Sequence, residues 1–293
     1  MATAREMGAV ERLFRTFVWG PIGALTAFIP LMGINVLQMS SVVTIPFSRP
    51  LFRRLNTRFA GAIWMFWSYL VEGPNRMAIT FTGDVVPVGE DAIVFCNHQS
   101  MSDIVVLVCL ARRAKMVGYM KWLVKDVVKY VPGVGWGMLF LDCVFLKRNW
   151  ADDEQNIKRT FSRIVDNKLP VWLVSFPEGT RVTPEKLAVS QTYAAKRGLP
   201  PTVSVMLPRP KGFAASVCGL RDHVKAVYSV TIKYENDVRS AWKMVAGEIR
   251  HVTIDLKRFP IGDLPRDEAG LSRWLTDEFY RKDRILAELQ TLS

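Results

Sequence analysis

No charged residue occurs between Thr16 and Ser48. One helix needs ~20 apolar residues to cross a bilayer, so this run alone points to a membrane protein. Pro21, Pro30, Asn35 and Gln38 interrupt it, and it does not read as a uniform span. A second apolar run, Phe59–Val71 (FAGAIWMFWSYLV), is too short to cross. Arg12 and Arg15 precede the first run, and Arg49, Arg53, Arg54 and Arg58 separate the two. Positive charge on both sides leaves the orientation rule without an answer. The pattern suits a helical hairpin dipping into one leaflet, its basic loops among lipid headgroups and Trp64, Trp67 and Tyr69 at interfacial depth. The run is too long for a cleaved signal peptide and lacks a small-residue cleavage site. Residues 1–74 are thus expected to form membrane-associated helices, either spanning or dipping.

Composition narrows the partners. The chain is 49% apolar with a formal charge of +12, and its mean hydropathy is still positive, +0.12. Soluble nucleic-acid binders are often this basic but seldom carry long uncharged apolar runs as well. No nucleic-acid-binding fold is recognisable, and the charge suits a bilayer surface or an anionic substrate. Cys96, Cys109, Cys143 and Cys218 are widely spaced with no CxxC pair, and three of them sit in apolar runs, so buried free thiols in a reducing compartment are expected, with neither a metal site nor a disulfide framework.

From residue 75 onward short strand-like runs alternate with helical ones. Strands are expected at Ala92–Cys96, Cys143–Leu146, Val171–Phe176, Val203–Leu207, Val227–Tyr234 and His251–Leu256. Helices are expected at Ser102–Arg113, Lys121–Tyr130, Asp152–Asn167, Pro184–Arg197 and Glu268–Leu289. The alternation predicts an α/β fold, a mixed and largely parallel sheet flanked by helices, forming one domain over 75–293. Functional residues then belong in the turns after the strands.

Two motifs occupy such turns. Asn97-His98-Gln99-Ser100-Met101-Ser102-Asp103 joins the strand AIVFC to the helix DIVVLVCLARR. His98 and Asp103 can meet there as a general base and the carboxylate that orients it. Ser100-x-x-Asp103 is equally a capping box, which needs no catalysis to explain it. Phe176-Pro177-Glu178-Gly179-Thr180-Arg181 follows the strand VWLVS, with Thr183 as N-cap and Pro184 as first helical residue. Gly179, Thr180 and Arg181 make an anion cradle ahead of a helix, or an ordinary turn with an exposed arginine. Lys147-Arg148 and Leu207-Pro208-Arg209-Pro210-Lys211 add further basic groups at the ends of expected strands.

Together these motifs resemble the 1-acylglycerol-3-phosphate O-acyltransferase family. The family's block N-H-x-S-x-x-D is matched at every fixed position, and F-P-E-G-T-R letter for letter. The basic pair Lys147-Arg148 resembles the end of a second block, although GMLFLDCVF before it matches loosely; Leu207-Pro208-Arg209 resembles the fourth. The resemblance runs from about Gly83 to Lys282 and takes in Lys121, the run KYVPGVGWG and the tail residues Trp274-Leu275 and Lys282-Asp283. It implies an enzyme that moves an acyl group from acyl-CoA, as co-substrate, to the sn-2 hydroxyl of a lysophospholipid, first of all lysophosphatidate. His98 would be the base and Asp103 its orienter. Glu178, Gly179, Thr180, Arg181, Arg148, Lys147 and Pro208 would form the acceptor site. No metal or other cofactor is implied, and the membrane implied is that of the endoplasmic reticulum, with the site at its cytosolic interface.

Three alternatives stand beside this one. Eukaryotic relatives acylate lysophosphatidylinositol or lysocardiolipin. A lipid hydrolase would need a nucleophile; no G-x-S-x-G elbow is present, and Cys96 lies in an apolar strand. A non-catalytic membrane scaffold sits poorly with two intact motifs.

Overall fold

The computed structural model describes residues 8–147, 149–235 and 240–291. Helix α1 (Ala9–Phe14), a π-helical turn (Arg15–Trp19) and α2 (Gly20–Ser41) run on as one rod. Pro21 lies just after the π-helical turn and Pro30 inside α2. After a short turn the chain reverses into α3 (Arg49–Glu72), capped by Ser48, whose side chain accepts from Leu51 N–H. Two bonds fix the hairpin. Asn56 Nδ2 donates to Ser41 Oγ near the turn, and Trp67 Nε1 to the Ala27 carbonyl farther along.

The remainder is β1 (Ala78–Gly83), β2 (Ala92–Cys96), α4 (Ser102–Arg113), β3 (Met120–Lys125), α5 (Val134–Met138), β4 (Val144–Leu146), α6 (Trp150–Asp166), β5 (Trp172–Ser175), α7 (Pro184–Ala195), α8 (Pro210–Leu220), β6 (Ala226–Tyr234), α9 (Ala241–Val245), β7 (His251–Pro260) and α10 (Glu268–Thr291). The seven strands form one sheet in the order β1-β7-β6-β2-β5-β3-β4. Only β6 and β7 pair antiparallel; all other neighbours are parallel.

Both faces of the sheet are covered, so its central strands are apolar throughout. In β2, Ala92, Val94 and Cys96 face one core and Ile93 and Phe95 the other. The first core joins Ala60, Ile63, Trp64 and Val71 of α3 to α4. The second joins α6, α8 and α10. Phe95 packs there against the rings of Phe213, Trp274 and Phe279. Each such aromatic pair adds about 0.5–1.5 kcal/mol beyond its buried area, which anchors the strand that ends at the site.

Two expectations are corrected. Lys121–Tyr130 is not a helix but strand β3 followed by a 3-10 turn, Asp126–Tyr130. Lys121, Lys125 and Lys129 repeat at helical spacing, yet Met120 and Trp122 are buried between neighbouring strands, and that burial decides. Val203–Leu207 is not a strand, because its N–H groups go to side chains and not to a ladder. β1 and α8 had no counterpart in the reading. α8 contains Gly212 and Gly219, which lower helix propensity, but a Cβ at Gly219 would lie 2.8 Å from the Phe161 ring, so glycine permits close packing on α6.

Candidate active site

The parallel pairing of β2 with β5 brings their carboxyl ends side by side, and the two motifs meet there. Val182 N–H donates to the His98 carbonyl at 2.8 Å. The His98 ring stacks on Phe176, with centroids 4.0 Å apart and planes 19° from parallel. Asn97 locks the turn to β6 by a double bond, accepting from Ile232 N–H at 2.8 Å and donating to its carbonyl at 3.0 Å.

Asp103 is wholly buried and accepts four hydrogen bonds. Oδ2 takes His98 Nδ1 at 2.9 Å and the N–H groups of Gln99 and Ser100 at 2.7 and 2.9 Å. Oδ1 takes the hydroxyl of Tyr234 at 2.6 Å. These fill the acceptor sites of a carboxylate. Every partner is a donor, so the shared proton sits on Nδ1 and leaves Nε2 with a lone pair. No described residue holds Nε2, and the His98 side chain is 13% exposed. Only half of the capping box is formed: Asp103 Oδ2 accepts from Ser100 N–H, while the Ser100 hydroxyl accepts from Ser102 N–H, and the same carboxylate oxygen holds the imidazole.

Glu178 is 2% exposed. Its oxygens accept from His98 N–H at 2.8 Å and Met206 N–H at 3.2 Å. Burial pushes its carboxyl up to about 8, against the pull of those two donors. Gly179 adopts φ +71°, and a Cβ there would lie 3.3 Å from Arg209 Cδ. The positive φ favours glycine, and the missing Cβ leaves room for the stem of the arginine. Thr180 Oγ1 accepts from Lys186 Nζ at 2.9 Å, and Lys186 also donates to the Arg181 carbonyl at 3.3 Å. Arg181 is exposed, and among the described residues none holds its guanidinium. Lys147 is exposed, its N–H donating to Asp153 at 2.6 Å. Arg148 lies outside the described residues. Pro208 precedes Arg209, whose N–H donates to the Pro177 carbonyl at 2.7 Å. Cys96 is fully buried with its thiol pushed well up by desolvation, which makes it a poor nucleophile.

Sequence reasoning missed Tyr234 and Lys186 as parts of the site and gave Phe176 no role beyond its place in the motif. Tyr234 ends the expected strand VYSVTIKY, a signal too common to single it out.

The family model described as Acyltransferase matches residues 78–224, and one described as Acyltransferase C-terminus matches 243–291. The 1-acyl-sn-glycerol-3-phosphate acyltransferase 3 of Arabidopsis thaliana is 33% identical over 281 residues, covering 94% of this chain and 74% of its own. The gamma form of Homo sapiens is 32% identical over 284 residues, covering 95% and 76%. The crystal structure of the 1-acyl-sn-glycerophosphate (LPA) acyltransferase PlsC from Thermotoga maritima shares the fold, with a TM-score of 0.57 at 16% identity over 97% of this chain and 98% of that one. The chain belongs to the 1-acyl-sn-glycerol-3-phosphate acyltransferase family of enzymes.

Proposed function

We propose that the protein transfers a fatty acyl group from acyl-CoA to the sn-2 hydroxyl of lysophosphatidate, giving phosphatidic acid and free CoA. One observation carries this reading: an imidazole held by a buried carboxylate, its other nitrogen unclaimed, beside a glycine turn from which Arg181 projects. Nε2 of His98 takes the hydroxyl proton as that oxygen attacks the thioester carbonyl. The tetrahedral adduct then expels the CoA thiolate, which recovers the proton from the imidazolium. Asp103 steadies the imidazolium between the two steps. A base of this kind contributes roughly 10²–10⁴ in rate, and positioning supplies much of the rest. The leaving thiolate is stable, so neither metal nor further cofactor is needed.

The exposed residues of the turn, Gly179, Thr180 and Arg181, hold the acceptor phosphate, with Lys147 contributing charge. Arg148 keeps a place there by resemblance alone. Glu178 positions and does not bind: both oxygens already accept backbone N–H groups, and a buried carboxyl gains nothing beside a phosphate. Pro208 shapes the turn that carries Arg209.

The apolar rod lies in the membrane. Ala9–Thr44 is long and apolar enough to cross one, but its most apolar window is 17% buried in the protein. Gly20, Gly23, Leu31, Asn35, Gln38 and Ser41 form a seam along one side. Gly20 meets Trp242 and Gly23 meets Val245, while Gln38 Nε2 donates to the Gly137 carbonyl. A helix fastened to the catalytic unit at both ends favours dipping into one leaflet over spanning. The endoplasmic reticulum, entered from the cytosolic side, remains the expected membrane.

Product analysis with oleoyl-CoA and a panel of lysophosphatidate, lysophosphatidylinositol and lysocardiolipin tests the acceptor. Phosphatidic acid is the expected main product; exclusive acylation of either other lipid overturns the choice.

A further inference from the structure

Helix α10 reaches the site through one side chain. The Asp283 carboxylate accepts three consecutive backbone N–H groups: Val203 at 3.0 Å to either oxygen, Ser204 at 2.6 Å and Val205 at 3.2 Å. The next amides are also claimed by side chains. Met206 N–H goes to Glu178 at 3.2 Å and Leu207 N–H to Ser190 Oγ at 3.0 Å. Residue 208 is proline, and Arg209 N–H closes on the Pro177 carbonyl at 2.7 Å. The Tyr280 hydroxyl, one turn earlier on α10, donates to the Pro200 carbonyl at 2.9 Å. A segment with the apolar pattern of a strand is thus held as a loop, its path set mainly by the carboxylates of Asp283 and Glu178.

That path delivers Arg209. Its stem lies against Gly179, where a Cβ would come within 3.3 Å of Arg209 Cδ. Its guanidinium is exposed and, among the described residues, pairs with no carboxylate; nor does Arg181, two residues beyond Gly179. Elsewhere arginines near carboxylates are paired, as Arg281 is with Asp255 and Glu278. Two uncommitted guanidiniums flanking one glycine turn suit the two charges and three free oxygens of a phosphomonoester.

We propose that Asp283 is a positioning residue for the acceptor site, acting through Val203–Leu207 to hold Arg209 as a second guanidinium on the acceptor's phosphate. This rests on the reading of Gly179–Arg181 as the phosphate site. Asp283 touches no reacting atom, so its loss weakens acceptor binding and spares the chemical step.

The test is steady-state kinetics of the full-length protein in detergent, with oleoyl-CoA and lysophosphatidate, for the wild type, Arg209→Ala, Asp283→Asn, Asp283→Ala and the Arg209→Ala/Asp283→Ala double variant. Arg209→Ala and Asp283→Ala each raise KM for lysophosphatidate about tenfold, the worth of one charge-assisted hydrogen bond. In both, kcat and KM for oleoyl-CoA stay within about twofold. Asp283→Asn falls between wild type and alanine, because its amide oxygen still accepts. The double variant matches the worse single one, since both act through one contact. An unchanged acceptor KM in Arg209→Ala, an additive double variant, or parallel rises in both KM values overturns the proposal. Should Asp283→Ala fail to fold, Asp283→Asn and Arg209→Ala decide by the same criteria. A wild type without acceptor-dependent thiol release removes the underlying reading itself, a result distinct from an active wild type whose variants lack the split.

Discussion

Asp103 and Glu178 are both buried carboxyl groups at one turn, yet their neighbours give them different work. Asp103 meets four donors, including the imidazole it orients. Replacing it with Asn puts an NH₂ among donors and favours the wrong tautomer of His98. Asp103→Asn should lower kcat by roughly 10²–10⁴ with little change in either KM, measurable in steady-state assays. Glu178 meets two N–H groups in a desolvated site, and burial lifts its carboxyl from the ordinary 4.5 to about 8. A raised acid is more favourable to folding when protonated. Its contribution is fully present below about 4.5 and drains as pH rises through about 8. Melting temperature should therefore fall across that window in the wild type, and fall less in Glu178→Gln, which cannot ionise. Parallel pH curves for the two would contradict the assignment. At this scale the motif letters were a good guide to which residues gather. They did not reveal that Phe176 and Glu178 serve His98 while Thr180 and Arg181 face outward, because that division depends on burial. Tyr234 escaped altogether: its partner lies 131 residues away, and a strand tyrosine carries no mark of its task.

Elements were legible where a local pattern and the tertiary environment agree. Strand β2 and helix α4 have the expected bounds, because each is an apolar run that found a buried place in the core. Strand β3 was misread because three lysines at helical spacing outweigh, locally, a burial that only neighbouring strands reveal. Val203–Leu207 was misread because the carboxylate that holds its amides comes from the far carboxyl-terminal helix. The rod α1–α2 is long and apolar enough to cross a membrane, and its seam yields a prediction. Ile29 is 63% exposed and Leu31 is 5% exposed in the same helix. Ile29→Lys should loosen membrane attachment, read by liposome flotation, without lowering the melting temperature of the detergent-solubilised protein. Leu31→Lys buries an unpaired charge and should lower that temperature. Equal behaviour of the two would contradict the lipid-facing assignment.

For the whole molecule, the sheet places the carboxyl ends of β2 and β5 together, and α10 closes over the far side with a lysine and an aspartate in sequence. Lys282 is wholly buried, donating to the Val230 carbonyl at 2.7 Å and lying 4.8 Å from the Phe95 ring centroid. Burial lowers it to about 8. Asp283, beside it, faces the acceptor loop. The carboxyl-terminal helix is thus tied both to β6 and to the Val203–Val205 loop. Under the proposed function, the basic charge of the chain and its apolar rod answer to the same setting, an anionic substrate taken from a lipid surface. The central claim, acyl transfer with His98 as base, is tested most directly by thiol release from oleoyl-CoA. Purified protein in detergent is compared with and without lysophosphatidate, beside His98→Ala. Release that requires the acceptor and vanishes in the variant is the predicted result. Acceptor-independent release would indicate a thioesterase, and no release with any lysophospholipid from a folded protein would contradict catalysis itself.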